Sequence, residues 1–333
     1  MLLPLEALFR GTVALRNRLY DSGMLAESES HIPVISVGNL AVGGTGKTPF
    51  ASWLTAHLSA TGRRPALVTR GYGSDEVLLH STQNPGVPVV VHTSKLAGID
   101  KARRAGVDVA VLDDGFQHRA ASRDVDIVLL AAEQGAMGPL LPRGRFREPL
   151  AALSRADAIV VTRKVATREE ASAIGRVVTR YGPRAVLGQI HLKEDRWTPL
   201  EDYVLTGSGN RLSIGPDDRS GAFASSGPHG GDFLAVSSIA EPDGFHEMVR
   251  SGAGGVVECM AFPDHYSFDS DDISRIVKRA AGRPLVTTEK DAVKLERFFQ
   301  ELPKTYVLRL QVAWDFGQDA VMALIKSALD RYR

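Results

Sequence analysis

The sequence predicts an α/β fold, in which helices cover a parallel sheet and a second, smaller αβ domain follows. From residue 32 onward, short apolar segments alternate with segments of helical periodicity, a pattern typical of parallel strands buried on both faces. A glycine-rich loop stands between the first of these strands and the first of these helices. A glycine- and serine-rich stretch at 206–232 then separates the larger region from a shorter αβ unit.

The individual elements are predicted from short apolar runs for strands and from apolar residues three or four positions apart for helices. The predicted strands are 32–37, 66–69, 87–91, 107–112, 127–130, 158–161, 233–236, 256–260, 285–287 and 306–310. The predicted helices are 2–20, 49–61, 95–105, 168–181, 242–251, 270–281, 292–299 and 318–332.

Composition limits the classes of partner and site. The 333 residues are 44% apolar and carry a formal net charge of +1, so no overall basic field indicates nucleic acid. The single cysteine, Cys259, allows neither an intramolecular disulfide nor a cysteine metal cluster. No apolar run reaches the roughly 18 residues needed to span a bilayer.

The predicted helix 2–20 is amphipathic. One broad face carries the apolar residues, and the other carries Glu6, Arg10, Asn17 and Arg18. Such a helix can lie in a membrane interface, and it can equally pack on the domain that follows it. The pattern alone leaves both interpretations open.

The strongest local signal is the octapeptide Ala41–Thr48, which follows a predicted strand and opens a predicted helix. That context is the one a P-loop requires, so the fold is predicted to be P-loop NTPase-like. Lys47 can reach the β- and γ-phosphates of ATP, and the Thr48 hydroxyl can bind Mg²⁺. Ala41 replaces the first glycine of the usual pattern. The predicted nucleotide-binding residues are Gly43, Gly44, Thr45, Gly46, Lys47 and Thr48.

A second signal is the pair Asp113 and Asp114 directly after the strand 107–112. An acidic residue at the carboxyl end of a parallel strand beside a P-loop is where a Walker B aspartate binds Mg²⁺. By itself, such a pair is more often a turn or a helix cap. Together with Thr48, either aspartate is a candidate metal ligand.

Two further segments, 114–119 and 143–149, are predicted to lie at the same edge of the sheet. Arginine side chains there suit phosphate or carboxylate groups, while a solvated basic loop is the alternative interpretation. The residues concerned are Gln117, His118, Arg145, Arg147 and Glu148.

With these motifs in place, the chain resembles the tetraacyldisaccharide 4'-kinase family of lipid A biosynthesis. The resemblance extends from about residue 34 to residue 294, in the order found in the family. Its segments are 37–49, 70–73, 113–118, 140–142, 147–149, 262–265 and 287–294.

The resemblance implies that ATP and Mg²⁺ are the cofactors and that the γ-phosphoryl group passes to the 4'-hydroxyl of an acylated glucosamine disaccharide 1-phosphate. It implies a peripheral protein at the cytoplasmic face of the bacterial inner membrane, with the N-terminal helix at the bilayer. No nucleic acid and no obligate protein partner are expected. The implied substrate-binding residues are Gln117, His118, Arg147 and Glu148.

The resemblance also implies a proton acceptor. Asp75 is the match for an acidic general base, in a loop shorter than the usual one, and His265 matches the histidine that supports it. A tyrosine, Tyr266, stands where the family has a second histidine. Asp75 is expected in the P-loop domain and His265 in the second domain, so that they meet only when the domains close.

The implied domain boundaries follow from these assignments. An N-terminal amphipathic, membrane-associating helix occupies 1–30, the P-loop kinase domain 31–200, and a linker or surface excursion 201–232. The smaller αβ domain occupies 233–312 and a C-terminal helix 313–333.

Two other classes of protein share parts of this pattern. A P-loop ligase resembling dethiobiotin synthetase would need a carboxylate-binding substrate site and no membrane helix. A switch ATPase of the ParA/MinD type also begins with a glycine-rich Lys-Thr loop and can bind membranes. It would carry an additional lysine near the start of the loop, where this sequence has Ala41 and Val42.

Overall fold

The computed structural model describes residues 2–71, 74–207 and 231–332. The predicted α/β class is confirmed, with parallel strands and flanking helices. Within the described residues the strands are β1 (Val34–Asn39), β2 (Pro65–Thr69), β3 (Val89–Val91), β4 (Val109–Asp113), β5 (Val125–Ala131), β6 (Ala158–Arg163), β7 (Val186–Pro199), β8 (Phe233–Ser237), β9 (Val257–Ala261), β10 (Leu285–Thr288) and β11 (Thr305–Phe316).

The α-helices of the same residues are α1 (Leu3–Asp21), α2 (Lys47–Ala60), α3 (Ser74–Gln83), α4 (Lys95–Arg104), α5 (Arg168–Val178), α6 (Leu200–Gly207), α7 (Pro242–Ala253), α8 (Ser270–Ala280), α9 (Glu289–Leu295) and α10 (Gln318–Asp330). Short 3-10 helices lie at Ala132–Gln134, Leu150–Arg155 and Glu296–Phe298.

The described chain divides into two compact units. The first comprises residues 2–71, Val87–Leu192 and 312–332, and the second comprises residues 74–86, 193–207 and 231–311. Strands β7 and β11 each contain one of the points at which the chain passes from one unit to the other.

In the first unit the strand order is β3-β2-β4-β1-β5-β6-β7, and these neighbours pair in parallel. All six residues of β1 are buried, because the strand lies between β4 and β5 and both faces of the sheet are covered. Phe50 and Leu54 of α2 pack in the core beneath it. Val37 of β1 pairs with Asp113 of β4, so the loop after β1 and the aspartates after β4 share one edge of the sheet.

In the second unit β11, β10, β8 and β9 follow one another as parallel neighbours. Helix α8 begins at a reciprocal cap in which Asp269 and Asp272 each accept a hydrogen bond from the other's backbone. Ile273 and Ile276 then recur at helical spacing and are buried in the core of this unit.

Several predicted boundaries differ from those observed. Helix α2 begins at Lys47, two residues before the predicted start, because the P-loop leads directly into its first turn. Strand β7 has no counterpart among the predicted strands, since its carboxyl half is polar and exposed on one side. The predicted linker at 201–232 begins within α6, and its residues 208–230 lie outside the described residues.

The short helix α3 also has no predicted counterpart, and it corrects the expected position of Asp75. Residues 74–86 belong to the second unit, where α3 packs against α6 and α9. Leu79 and His80 of α3 are buried. The expectation that Asp75 lies in the P-loop unit is therefore wrong, and Asp75 and His265 belong to the same compact unit.

Helix α1 turns Glu6 and Asn17 of its predicted polar face inward, together with Val13 of its predicted apolar face. Glu6 is buried and accepts hydrogen bonds from Arg143 and from the backbone of Leu140, and Asn17 donates to Glu148. Its leucines face outward: Leu5, Leu8 and Leu15 are 51%, 69% and 60% exposed. Within the described ranges, no helix combines the length and apolarity that crossing a bilayer requires.

Candidate active site

The loop between β1 and α2 has the backbone conformation of a phosphate-binding loop. Gly43 and Gly46 adopt positive φ angles of 103° and 83°, which side chains other than glycine rarely allow. A Cβ at Gly46 would lie 2.6 Å from Leu192 Cδ1, so space as well as conformation requires glycine there. Helix α2 starts at Lys47, and its free backbone N–H groups and positive dipole end face the loop.

Side chains from neighbouring strands hold this loop in place. Asn39 Nδ2 donates to Thr45 Oγ1 at 2.6 Å, and Thr162 Oγ1 donates to the Thr45 carbonyl at 3.0 Å. Lys164 Nζ donates to the Gly44 carbonyl at 2.8 Å. Because these polar groups of the loop are already satisfied in this conformation, the loop is preorganised for an anion.

Asp113 and Asp114 lie in different environments. Asp113 ends β4 and is buried, and its carbonyl accepts a hydrogen bond from Lys95 Nζ at 2.6 Å. Asp114 follows in the left-handed region, with a φ of 56°. The Arg147 guanidinium binds both its carboxylate oxygens, at 2.9 and 2.6 Å, and Lys47 Nζ lies 3.7 Å from Oδ1.

The neighbouring cations Arg147, Lys47 and Lys95 keep the carboxyl group of Asp114 ionised. Burial by itself raises the pKa of this carboxyl group, but the hydrogen bond from Arg147 and the charges of Lys47, Arg147 and Lys95 outweigh it and hold the pKa well below its usual range. Asp114 is therefore ionised at any physiological pH, and it holds Lys47 and Arg147 side by side at the edge of the P-loop.

The donor set fits Mg²⁺. A threonine hydroxyl, Thr48, at the start of α2 and a carboxylate at the end of β4 are the oxygen ligands that P-loop proteins offer this ion, which completes its shell with water and phosphate oxygens. In the part of the chain that the structure describes, no group of three or more His, Cys, Asp or Glu side chains is arranged to bind a metal without such help. Since Arg147 occupies both oxygens of Asp114, Asp113 is the better placed of the two aspartates.

The predicted basic segments do meet at this edge. Arg147 contacts the Asn39 side chain as well as Asp114, and Gln117 Nε2 donates to the Asn39 carbonyl at 2.9 Å.

Glu148 takes a different position from the one expected of a substrate-binding residue. It is fully buried, where it pairs with Arg155 and Arg16. Direct contact with a substrate does not fit this burial, because both partners hold the carboxylate inside the protein. Glu148 instead connects the 147–149 segment to α1.

His118 is half-buried among the cations of this edge. Burial lowers its pKa, and the positive charges of Arg70 and Lys95 lower it further, to about 4 from an ordinary 6.5. The side chain therefore enters the site as a neutral ring that can both donate and accept a hydrogen bond.

This shift predicts a pH dependence of stability. Between pH 6.5 and about pH 4, His118 binds a proton in the unfolded chain but not in the folded protein. We therefore expect the free energy of unfolding to decrease as the pH falls through this range. His118→Gln should reduce that decrease, as measured by urea unfolding at a series of pH values. His31→Gln, at an exposed histidine, is the control. Equal pH slopes for the His118 variant and the unmodified protein would contradict the assignment.

The second predicted pair, Asp75 and His265, lies in the second unit. Asp75 is buried on α3, and its Oδ2 is 3.2 Å from His265 Nδ1. His265 has a φ of 57°, and its backbone N–H donates to the carboxylate of Asp264, the preceding residue, at 3.0 Å. Lys290 of α9 contacts the other nitrogen of the ring, with Nζ 3.2 Å from Nε2.

Three residues that contact the predicted site residues, or the loop between them, are not themselves predicted from the sequence: Asn39, Lys95 and Lys290. Asn39 and Lys290 lie inside motif segments that the resemblance includes, so a role for each could be sought there. Lys95 carries no such signal. It is buried at the start of α4 and bridges the carboxyl ends of β2 and β4 through the carbonyls of Val68 and Asp113.

Comparison with known proteins identifies close relatives. The family model for tetraacyldisaccharide-1-P 4'-kinase matches residues 1–76 and 73–330. A tetraacyldisaccharide 4'-kinase of Anaeromyxobacter sp. (strain Fw109-5) is 36% identical over 356 residues, which cover 99% of this chain and 91% of the relative. One of Chlorobium luteolum is 34% identical over 325 residues, with 89% and 86% covered.

A solved structure is similar over the same extent. The crystal structure of LpxK from Aquifex aeolicus in complex with ATP aligns with a TM-score of 0.72 and 26% sequence identity, and the alignment covers 98% of each chain. The similarity therefore includes both compact units.

Proposed function

Since the chain belongs to the tetraacyldisaccharide 4'-kinase family, we propose that it transfers the γ-phosphoryl group of ATP to the 4'-hydroxyl of tetraacyldisaccharide 1-phosphate in lipid A biosynthesis. The observation that carries this proposal is the cluster of Lys47, Asp114 and Arg147 at the P-loop. It is an arrangement of fixed cations suited to a transferring phosphoryl group.

The P-loop edge binds and neutralises the triphosphate. The amides of residues 43–48 and the Lys47 ammonium bind the phosphates, and Asp114 orients Lys47 and Arg147. Mg²⁺, which the hydroxyl at the start of α2 and the carboxylate at the end of β4 would hold, supplies further charge neutralisation at the phosphates.

The remaining residues act on the acceptor sugar. Gln117, His118 and Arg147 contribute polar and cationic groups for the anionic substrate. Asp75, supported by His265, accepts the proton of the sugar hydroxyl. Proton removal and charge neutralisation are thus carried by separate groups of side chains.

The substrate class is a glycolipid, and α1 is the element that suits its acyl chains and the membrane. Its outward leucines form one stripe, since Leu5, Leu8 and Leu15 recur at helical spacing. Arg18, which is exposed, lies beside that stripe and suits anionic head groups. We place the protein peripherally at the cytoplasmic face of the inner membrane, acting without nucleic acid and without an obligate protein partner.

The proposed reaction is tested by incubating the purified protein with ATP, Mg²⁺ and the disaccharide 1-phosphate, and locating the added phosphate by tandem mass spectrometry. We expect one phosphate at the 4'-position and ADP formation that depends on the glycolipid. ADP formation without phosphorylated lipid would contradict the kinase assignment.

The other two classes make different predictions in the same assay. A ParA/MinD-type switch would hydrolyse ATP independently of the glycolipid and dimerise on ATP, and it is not favoured, because the family match extends over nearly the whole chain. A dethiobiotin-synthetase-like ligase would require a carboxylate substrate.

A prediction about α1 follows from its outward leucines. Leu5→Glu combined with Leu8→Glu should greatly reduce sedimentation with anionic phospholipid vesicles and raise the KM for the lipid substrate, because each change places a charge in the apolar stripe. ATP affinity should stay the same. Ala7→Glu with Ala14→Glu is the matched control, since both alanines are exposed on another side of the helix. Undiminished vesicle binding by the leucine variant would show that α1 does not bind the membrane.

A further inference from the structure

Lys290 belongs to the cluster around the proposed base, where it contacts the histidine nitrogen that Asp75 does not. Its Nζ lies 3.0 Å from Asp264 Oδ1, 3.2 Å from His265 Nε2 and 4.0 Å from Asp75 Oδ2. All four residues lie in the second unit. Lys290 is therefore within reach of both members of the pair and of the carboxylate beside them.

The helix that carries Lys290 is firmly placed. Glu289, before it, is buried and accepts a hydrogen bond from the backbone of Leu310 at 3.3 Å. Asp291, after it, is fully buried and accepts from the backbone of Ser238 at 2.8 Å. With both neighbours held by other elements, the direction in which Lys290 leaves α9 is determined by the fold.

The contacts of the imidazole ring determine where its proton lies. A lysine ammonium has three N–H donors and no acceptor, so His265 Nε2 must accept the hydrogen bond from Lys290. Nε2 is then unprotonated, and the proton of the neutral ring is on Nδ1. Nδ1–H donates to Asp75 Oδ2, at 3.2 Å.

The surrounding charges act in opposite directions on this state. Among the described residues, the charged side chains paired with the ring are Asp75 from α3, Asp264 from its own loop and Lys290 from α9. The two carboxylates favour a doubly protonated, cationic ring. Lys290 opposes that state, both by its charge and by occupying Nε2.

We propose that Lys290 is a positioning residue for phosphoryl transfer. Its contact with Nε2 keeps His265 neutral with the ring proton on Nδ1. Nδ1–H therefore donates its hydrogen bond to Asp75. This inference rests on the proposed role of Asp75 as the base. In the reaction, the O–H bond of the sugar hydroxyl breaks and the proton forms a new bond to the second carboxylate oxygen, Oδ1, while the hydroxyl oxygen bonds to the γ-phosphorus and ADP leaves. Nδ1–H continues to donate to Oδ2 throughout.

The tautomer can be measured without any activity assay. In protein labelled with ¹⁵N-histidine, the ring signals of His265 are those that disappear in His265→Gln. At neutral pH we expect a protonated Nδ1 and an unprotonated Nε2 for this residue in the unmodified protein. A ring protonated on Nε2, or on both nitrogens, would overturn the inference.

The catalytic consequence is measured from the pH dependence of kcat. In Lys290→Met the cation that opposes a second ring proton is absent, and an imidazolium beside Asp75 would make the carboxylate a weaker base. We therefore expect the acid limb of the profile to move upward by about one pH unit. Lys290→Arg, which can still donate to Nε2, should restore most of the original profile.

Lys294→Met is the matched control, because Lys294 lies one turn further along α9 and pairs with Asp291 rather than with the ring. Its acid limb should stay where it is in the unmodified protein. An unmoved acid limb in Lys290→Met would overturn the role of Lys290. Failure of the proposed base is distinguishable, because Asp75→Asn would then retain its kcat whatever the outcome for Lys290.

Discussion

Lys47→Ala is expected to lower kcat/KM by roughly two to nearly four orders of magnitude, which corresponds to a loss of about 3–5 kcal/mol of transition-state stabilisation. Lys47 stands at the first position of α2, beside the loop amides, and its ammonium is held near Asp114. Removing it takes away a fixed cation at the place where negative charge moves between the phosphate oxygens.

The fold should tolerate this change. Asp114 remains bound by both N–H groups of Arg147, so its carboxylate is not left without a cation. Thermal unfolding of Lys47→Ala should therefore resemble that of the unmodified protein. Lys193→Ala, at an exposed lysine outside the loop, is the control for kinetics. Near-normal kcat/KM in Lys47→Ala would falsify the assignment of the P-loop lysine.

Asp75→Asn should lower kcat by about a hundredfold or more, with little change in the KM for ATP, because the amide cannot accept the hydroxyl proton. His265→Gln should have the same kind of effect, since it removes the Nδ1–H donor that orients the carboxylate. Steady-state kinetics with the glycolipid acceptor at several ATP concentrations separate the two parameters.

The double variant tests whether Asp75 and His265 act as a unit. If they do, Asp75→Asn combined with His265→Gln should be scarcely worse than the poorer single variant. Multiplicative losses would argue for independent roles. Asp271→Asn, at an exposed acid in the first turn of α8, controls for loss of a surface charge from the same unit.

The positions of Asp75 and His265 in the structure give a different reason for expecting their effects on kcat to be coupled. Asp75 and His265 are 190 residues apart in sequence, and sequence reasoning assigns their meeting to closure between domains. Both lie within one compact unit, where α3 packs on α9, so their contact is a property of that unit's own packing.

Helix α1 shows a similar limit of sequence reasoning. Its periodicity predicts the helix correctly, because apolar spacing is a local property. The two predicted faces are not the ones observed, since Val13 is buried beside Glu6 whereas Leu5 and Leu8 are exposed. Periodicity does not say which face is buried. The inward direction of Glu6 and Asn17 depends on Arg143 and Glu148, which lie far along the chain. The same distant contacts place Glu148 in the interior of the protein. The basic loop motif to which it belongs indicates a residue at the surface.

The sequence by itself determined the elements whose causes are local. The apolar run of β1, the glycines before Lys47 and the acidic end of β4 specify a strand, a phosphate loop and a carboxylate at one sheet edge, since parallel strands end at the same edge. Only the tertiary structure decided how charges are paired. Arg147 binds Asp114 across 33 residues, and Lys290 contacts His265 across 25, because folding brings their separate elements together and a charge withdrawn from water is stable only beside a partner.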